Sequence, residues 1–278
     1  MCSRCGGPGD ICCAGNTCNE GCCSADRCLV GSSCDPDAGT ATDAPIDQCA
    51  TGGVPCSALA RFTGTQIVDG NDDEFCNIPS FELSQQNAGK VIVERYATEQ
   101  DYAEHAVARV AWDDSGIHAF IRVYDATFTA AKEGTLWNGD SVELFFSTST
   151  DVTGLIYNDP NTFHVIVSPP LAQSLIDTSS TGTPSDLPEA EFAAGSDSSG
   201  YFVELNLPWP ATAPTAGAQI KFDMQLNVAD GPMATSELYT RDAQLILYLE
   251  ATSTTSCATT DIQPFCDDRL WCTTTLQP

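Results

Sequence analysis

The sequence contains few basic residues: 11 lysines and arginines stand against 38 aspartates and glutamates, and the formal net charge is −27. A field of this sign repels phosphate backbones and anionic membrane surfaces, so we expect no nucleic-acid partner. Apolar runs are also short, and none approaches the roughly 18 residues that a membrane-spanning helix requires. The hydrophobic fraction of 42% is nevertheless that of a globular protein.

Common catalytic motifs are missing as well. The sequence has no G-x-S-x-G nucleophile elbow, no P-loop, no H-E-x-x-H zinc motif and no dinucleotide-binding glycine fingerprint. Acidic residues are so numerous that a glycosidase carboxylate pair cannot be singled out among them. We therefore predict a protein that is not an enzyme.

Cysteine, in contrast, is abundant. Fifteen cysteines are too many for a reducing compartment unless they bind metal. Zinc sites usually combine cysteine with histidine at short spacings, but His105, His118 and His164 all lie far from the cysteine-rich segment. The cysteines therefore predict disulfides and a secreted or cell-surface, extracellular location.

The first 35 residues have almost no apolar side chains with which to build a core. A segment this short must be held by cross-links, so we predict a disulfide-stapled module over residues 1–35 and a linker over residues 36–48. Its cysteine spacing loosely resembles granulin and knottin-like hairpin stacks. Eight cysteines are expected to pair within this module: Cys5, Cys12, Cys13, Cys18, Cys22, Cys23, Cys28 and Cys34.

The other seven cysteines lie outside that set. Cys2, followed by Ser3, resembles the lipid-carrying cysteine of a bacterial lipoprotein, and a lipid there is the one expected route to a membrane. A further disulfide explains Cys2 equally well. Six cysteines flank the predicted large domain, residues 49–278, and are expected to staple its two ends together: Cys49, Cys56, Cys76, Cys257, Cys266 and Cys272.

Between these flanking cysteines the apolar pattern has a period of two, which is typical of β-strands. Helical periodicity is weak and confined to residues 99–105. Many short strands separated by Asp-, Asn- and Gly-containing turns predict an all-β fold, an antiparallel, jelly-roll-like β-sandwich. The predicted strands are residues 107–112, 117–124, 141–146, 163–167, 201–207, 220–228 and 244–249.

One acidic turn has the spacing of a cation-binding loop. Asp69, Asn71 and Asp73 offer side-chain oxygens at alternate positions, as calcium loops do. The segment is not an EF-hand, because Glu74 occupies the position where that motif requires glycine. We predict calcium at this turn, and an acidic turn without an ion is the alternative.

Several motifs, in order along the chain, resemble the family 9 carbohydrate-binding modules. The most specific is Trp137-Asn138-Gly139-Asp140-Ser141-Val142-Glu143, a W-x-G-D-x-V-E pattern. The opening Asp-Gly turn, the Gly-Tyr-x-x-Glu strand and its Pro-Trp end, and the late strand that ends in Asn and Asp agree with it. The concordant pieces are residues 67–75, 112–125, 136–146, 200–209 and 220–230.

The resemblance implies a β-sandwich that binds a polysaccharide or glycan between two tryptophans, often with structural calcium. Trp137 and Glu143 match the first tryptophan and the glutamate of the family site, His164 falls near its basic residue, and Asn227 matches its asparagine. The second tryptophan is replaced by Asp230. Arg122 is added from strand alternation alone, because it shares a predicted strand face with aromatic residues.

One other function remains open. The polar face that carries Glu143 and His164 is equally well explained as an ordinary solvated sheet face. The chain would then be a structural or adhesive subunit of the cell surface or extracellular matrix that uses the sandwich as a scaffold and self-associates.

Overall fold

The computed structural model describes residues 22–24, 27–29, 56–93, 103–125, 127, 129, 136–150, 161–168, 175–178, 190–209, 212–229, 241–248 and 270–278. The chain divides into two compact units, Met1–Gln48 and Cys49–Pro278. In the first unit, β1 (Cys22–Ser24) and β2 (Arg27–Leu29) pair as an antiparallel hairpin. Cys22, Cys23 and Cys28 lie in this hairpin. Cys2, the other cysteines predicted to pair in this unit and the predicted granulin-like arrangement lie outside the described residues.

The described part of the second unit contains thirteen paired strands and two short 3-10 turns. In chain order the strands are β3 (Ala58–Arg61), β4 (Ser80–Ser84), β5 (Lys90–Val93), β6 (His105–Trp112), β7 (Gly116–Tyr124), β8 (Ser141–Ser147), β9 (Thr162–Ser168), β10 (Leu175–Thr178), β11 (Glu191–Asp197), β12 (Gly200–Pro208), β13 (Gln219–Val228), β14 (Ala243–Ile246) and β15 (Cys272–Leu276). No helix in these ranges is long and apolar enough to cross a bilayer.

The strands form two layers. In the first, the order is β11–β12–β7–β6, and both β4 and β3 pair with β6. In the second, the order is β10–β9–β8–β13; β14 and β15 pair with β13, and β5 pairs with β14. Strand β3 is parallel to both β6 and β15 and so joins the layers, whereas the other described pairings are antiparallel.

Side-chain alternation explains why these segments pack as a sandwich. In β7, Ile121 and Val123 enter the core, and in β8, Val142 and Leu144 do so from the opposite layer. Their sequence neighbours point to the outer faces, as the period of two requires. The predicted all-β, antiparallel, jelly-roll-like sandwich is confirmed.

All seven predicted strands are present, and no end differs by more than three residues. Six described strands of this unit were not predicted: β3, β4, β5, β10, β11 and β15. These are mostly four or five residues long, too short for alternation to stand out, and β11 mixes small residues with few apolar ones. The weak helical pattern over residues 99–105 was misleading at its end, since His105 begins β6.

A disulfide closes the two ends of this unit. Cys56 and Cys272 are bonded across 216 residues, beside the parallel pairing of β3 with β15. This confirms one bridge of the predicted end-to-end staple. Cys76 is also disulfide-bonded, whereas Cys49, Cys257 and Cys266 lie outside the described residues.

Candidate functional site

A buried polar cluster surrounds the Glu143 carboxylate on the outer face of the second layer. His164 Nε2 lies 2.5 Å from Glu143 Oε2, and Asn227 Nδ2 donates a hydrogen bond to Glu143 Oε1 at 2.6 Å. Gln225 Nε2 donates to the same oxygen at 3.0 Å. Strands β8, β9 and β13 bring these four residues together; we call them the Glu143 network.

The network keeps the Glu143 carboxyl ionised although it is only 2% exposed. Burial, the largest effect, would raise its pKa, but the hydrogen bonds from His164 and Asn227 and the charges of His164 and Arg241 together lower the pKa below its usual value. The His164 ring is held in place by stacking on Phe145, with ring centres 4.3 Å apart. The cluster is therefore rigid and charged.

Trp137 lies beside this network and is exposed. It is the middle residue of the 3-10 turn Leu136–Asn138, whose first and last side chains are buried. The turn is thereby anchored while the Trp137 side chain stays 36% exposed. The other three tryptophans of the chain, Trp112, Trp209 and Trp271, are buried. Trp137 is therefore the one indole of the chain with substantial access to solvent.

Arg241 connects Trp137 to the Glu143 network. Its Nη1 donates to the backbone carbonyl of Trp137 at 3.1 Å and to Asn227 Oδ1 at 3.2 Å. When the Gln244 amide is oriented with its oxygen toward the surrounding donors, that oxygen accepts from Arg241 Nη2 at 2.9 Å and from Gln225 Nε2 at 3.0 Å. The exposed Trp137 side chain, which we call the platform, and the Glu143 network are thus parts of one hydrogen-bonded assembly.

Four of the five predicted sugar-site residues are brought together: Trp137, Glu143, His164 and Asn227. A sugar bound directly by all four residues would require all four to be exposed, but Trp137 alone is exposed and the other three are buried. The polar groups of His164 and Asn227 are hydrogen-bonded to the carboxylate of Glu143. Asp230, which replaces the second tryptophan of the family pattern, lies outside the described residues.

The structure does not bring Arg122 to this site. Arg122 lies on β7, in the first layer, and its Nη2 is 2.6 Å from Asp197 Oδ1 and 2.8 Å from Ser199 Oγ. The hydrogen bond from Arg122, opposed by partial burial, holds the pKa of Asp197 at about 2. Arg122 therefore ties β7 to the β11–β12 hairpin and cannot support the Trp137 platform.

Three further residues of the site were not predicted: Gln225, Gln244 and Arg241. Gln225 could have been found, because it lies two positions before Asn227 and so shares its strand face. Gln244 is paired across strands with Asn227, a relation that appears only when the register is known. Arg241 precedes β14 and follows no periodic pattern.

The contacts of the turn that contains Asp69 bear on the predicted calcium site. Asp69 Oδ1 already accepts hydrogen bonds from Asn71 N at 3.0 Å and Asn71 Nδ2 at 2.9 Å. Glu204 Oε2 accepts from the backbone N–H groups of Asp69 and Gly70, and Asp73 begins a 3-10 turn. Within the described ranges no group of three or more His, Cys, Asp or Glu residues could hold a metal. Calcium stays a prediction that these contacts do not support.

A second buried carboxyl, Asp223, lies on β13 two residues from Gln225. Burial raises its pKa well above the usual value, although hydrogen bonds from the backbone N–H groups of Met224 and Tyr248 to Oδ1 oppose the shift. Oδ2 is buried and has no hydrogen-bond partner among the described residues. Burial therefore favours the protonated form of Asp223 in the folded chain.

Comparisons of structures support the fold. A family 9 carbohydrate-binding module from Caldicellulosiruptor kristjanssonii, solved with cellotriose, matches with a TM-score of 0.55 at 18% identity, over 80% of this chain and 93% of that one. The module solved with glucose gives a TM-score of 0.55 at 19% identity, over 80% and 96% of the two chains. At this identity the likeness is one of fold.

The chain is also similar in sequence to part of several longer proteins. Endo-1,4-beta-xylanase A of Thermotoga neapolitana is 26% identical over 173 residues, which are 62% of this chain and 15% of that protein. Exoglucanase XynX of Acetivibrio thermocellus is 24% identical over 176 residues, 63% and 14% of the two. The matched region is thus a small part of these relatives. The sequence model of the carbohydrate family 9 binding domain-like family matches residues 68–252, more than half of the chain, and the chain therefore belongs to that family.

Proposed function

We propose that this chain is an extracellular, non-catalytic protein that binds a polysaccharide or glycan at Trp137. The observation that carries the proposal is the exposed Trp137 ring, fixed beside a buried, charged polar cluster in a chain of this family. An exposed indole offers a flat apolar surface to the apolar face of a sugar ring. The family's structures in complex with cellotriose and glucose support a neutral sugar.

The Glu143 network contributes to sugar binding indirectly, by holding the Trp137 platform in place. Glu143 accepts three hydrogen bonds from His164, Gln225 and Asn227, so its lone pairs are largely engaged by protein donors. Asn227 is likewise engaged at both ends of its amide. The network therefore holds the surface that carries Trp137 in one conformation, which lowers the entropy lost on binding.

The burial of Glu143, His164 and Asn227 also favours a second candidate, the scaffold function. In that case the network stabilises the sheet face alone, and the protein is an adhesive or matrix subunit that self-associates. Both functions predict the same fold, so glycan binding is what separates them.

A glycan array tests the proposal, probed with the full chain and with Trp137→Ala. Ile67→Ala is the matched control, because Ile67 is 63% exposed and is the other large exposed hydrophobic residue among those described. We expect the parent and the control to bind the same neutral glycans and Trp137→Ala to lose them. Binding of no glycan by the parent, with self-association in sedimentation, would favour the scaffold.

The remaining features of the proposal rest on the sequence. The cysteine content supports a secreted or cell-surface location, and the acidic composition opposes nucleic-acid binding. A lipid on Cys2 would add a membrane anchor. Calcium at Asp69, Asn71 and Asp73 would act on stability, because Glu204 of β12 already accepts hydrogen bonds from the backbone of this turn.

A further inference from the structure

Arg241 joins two parts of the site that are far apart in sequence. Its Nη1 bonds to the carbonyl of Trp137, 104 residues earlier, and to the side chain of Asn227, 14 residues earlier. Only 9% of Arg241 is exposed. The guanidinium therefore lies beneath the platform, where it contacts the backbone of the exposed residue.

The backbone of Trp137 needs such an anchor. Its 3-10 turn is three residues long, and 3-10 hydrogen bonds have poorer geometry than those of an α-helix. Leu136 and Asn138 fix the two ends of the turn by burial. The carbonyl of the central residue, Trp137, accepts a hydrogen bond from a charged donor, Arg241, and hydrogen bonds to charged groups are among the strongest in proteins.

The charge of Arg241 is balanced within the same cluster. Glu143 carries the negative charge, and Asn227 lies between the two, because it donates to Glu143 and accepts from Arg241. An arginine suits this position better than a lysine, since its planar fork reaches the Trp137 carbonyl and Asn227 through Nη1 and Gln244 through Nη2.

We propose that Arg241 is the positioning residue of the platform: it fixes the Trp137 ring in its exposed orientation by linking the Trp137 backbone to Asn227. The sugar-affinity part of this proposal rests on the proposed function, whereas the orientation of the ring does not. Arg241 thereby sets affinity without contacting the ligand.

The test uses Arg241→Gln and Arg241→Lys in the full chain. Iodide quenching of fluorescence reports on Trp137, because the other three tryptophans are buried. We expect Arg241→Gln to change the quenching constant and to weaken binding of an array-positive glycan by about tenfold to a hundredfold, the loss of a charge-assisted hydrogen bond. Arg241→Lys, which keeps the charge but not the fork, should fall between Arg241→Gln and the parent.

Arg61→Gln is the matched control. Arg61 also lies over a tryptophan, with its guanidinium 4.8 Å from the centre of the buried Trp112 ring, and it pairs with Asp114. Its replacement should change neither quenching nor affinity. Parent-like quenching in both Arg241 variants would overturn the proposal even if the parent binds no glycan. If Arg241→Gln fails to fold, parent-like quenching and affinity in Arg241→Lys would overturn it.

Discussion

Replacing Glu143 by glutamine should destabilise the fold more than the loss of one charge on the surface would. Three donors, from His164, Gln225 and Asn227, meet at the carboxylate. A hydrogen bond to a buried charged group contributes about 1.5–3 kcal/mol, compared with about 1 kcal/mol for a neutral pair. The variant also removes the negative charge that faces the buried Arg241 across Asn227, so we expect a loss of about 3 kcal/mol at neutral pH.

The pH dependence of this loss follows from the direction of the pKa shift. The pKa of Glu143 is lowered in the folded state, so the carboxylate stabilises the fold above the pKa of an unfolded glutamate, about 4.3, and the effect disappears as the pH falls through the folded-state pKa. The difference between the parent and Glu143→Gln should therefore shrink on acidification.

Urea unfolding of both proteins at neutral and acidic pH measures this difference. Glu82→Gln is the matched control, because Glu82 is an exposed glutamate on β4 and should lie within about 0.5 kcal/mol of the parent. A Glu143→Gln variant as stable as Glu82→Gln at neutral pH, or a deficit that does not change with pH, would refute the reasoning.

Three other perturbations test other parts of the structure. Asp223→Asn should stabilise the fold, and the gain should grow by up to about 1.4 kcal/mol per pH unit above the pKa of an unfolded aspartate. The gain grows because the folded parent retains a proton that the unfolded chain releases. Equal gains at about pH 5 and pH 7 would contradict this. Replacing Cys56 and Cys272 by alanine should cost between about 2 and about 5 kcal/mol in denaturant unfolding, since the bridge closes a long loop, and an unchanged midpoint would count against a structural bridge. If Asp69 and Asp73 hold calcium, adding the ion to chelator-treated protein must raise the melting temperature, and no shift would remove the ion from the account.

The sequence was informative where the structural cause is local. Alternation along one strand placed Glu143 and His164 on the face opposite the core, because a strand turns each successive side chain over. The W-x-G-D-x-V-E motif located Trp137 at a short turn before β8, where a ring can stay exposed. These features depend on neighbours a few residues away.

Features that depend on distant segments were not predictable in this way. Alternation predicted which face of its strand Arg122 occupies, but not in which of the two layers that strand lies. Pairing of β7 with β12 places Arg122 next to Asp197 in the first layer, whereas the site is in the second. The burial of Asn227 depends on how the second layer is covered, which no strand pattern encodes. Arg241 reaches the site only through the tertiary fold, so no spacing along the chain pointed to it.

The central claim is that the sugar binds against the exposed side chain of Trp137. Its most direct test is iodide quenching of the full chain with and without a saturating glycan chosen from the array, repeated with Trp137→Ala. We predict that the glycan protects Trp137 from iodide in the parent, and that Trp137→Ala keeps its fold but no longer binds. A glycan that binds both proteins equally and leaves the quenching of the parent unchanged would contradict the account.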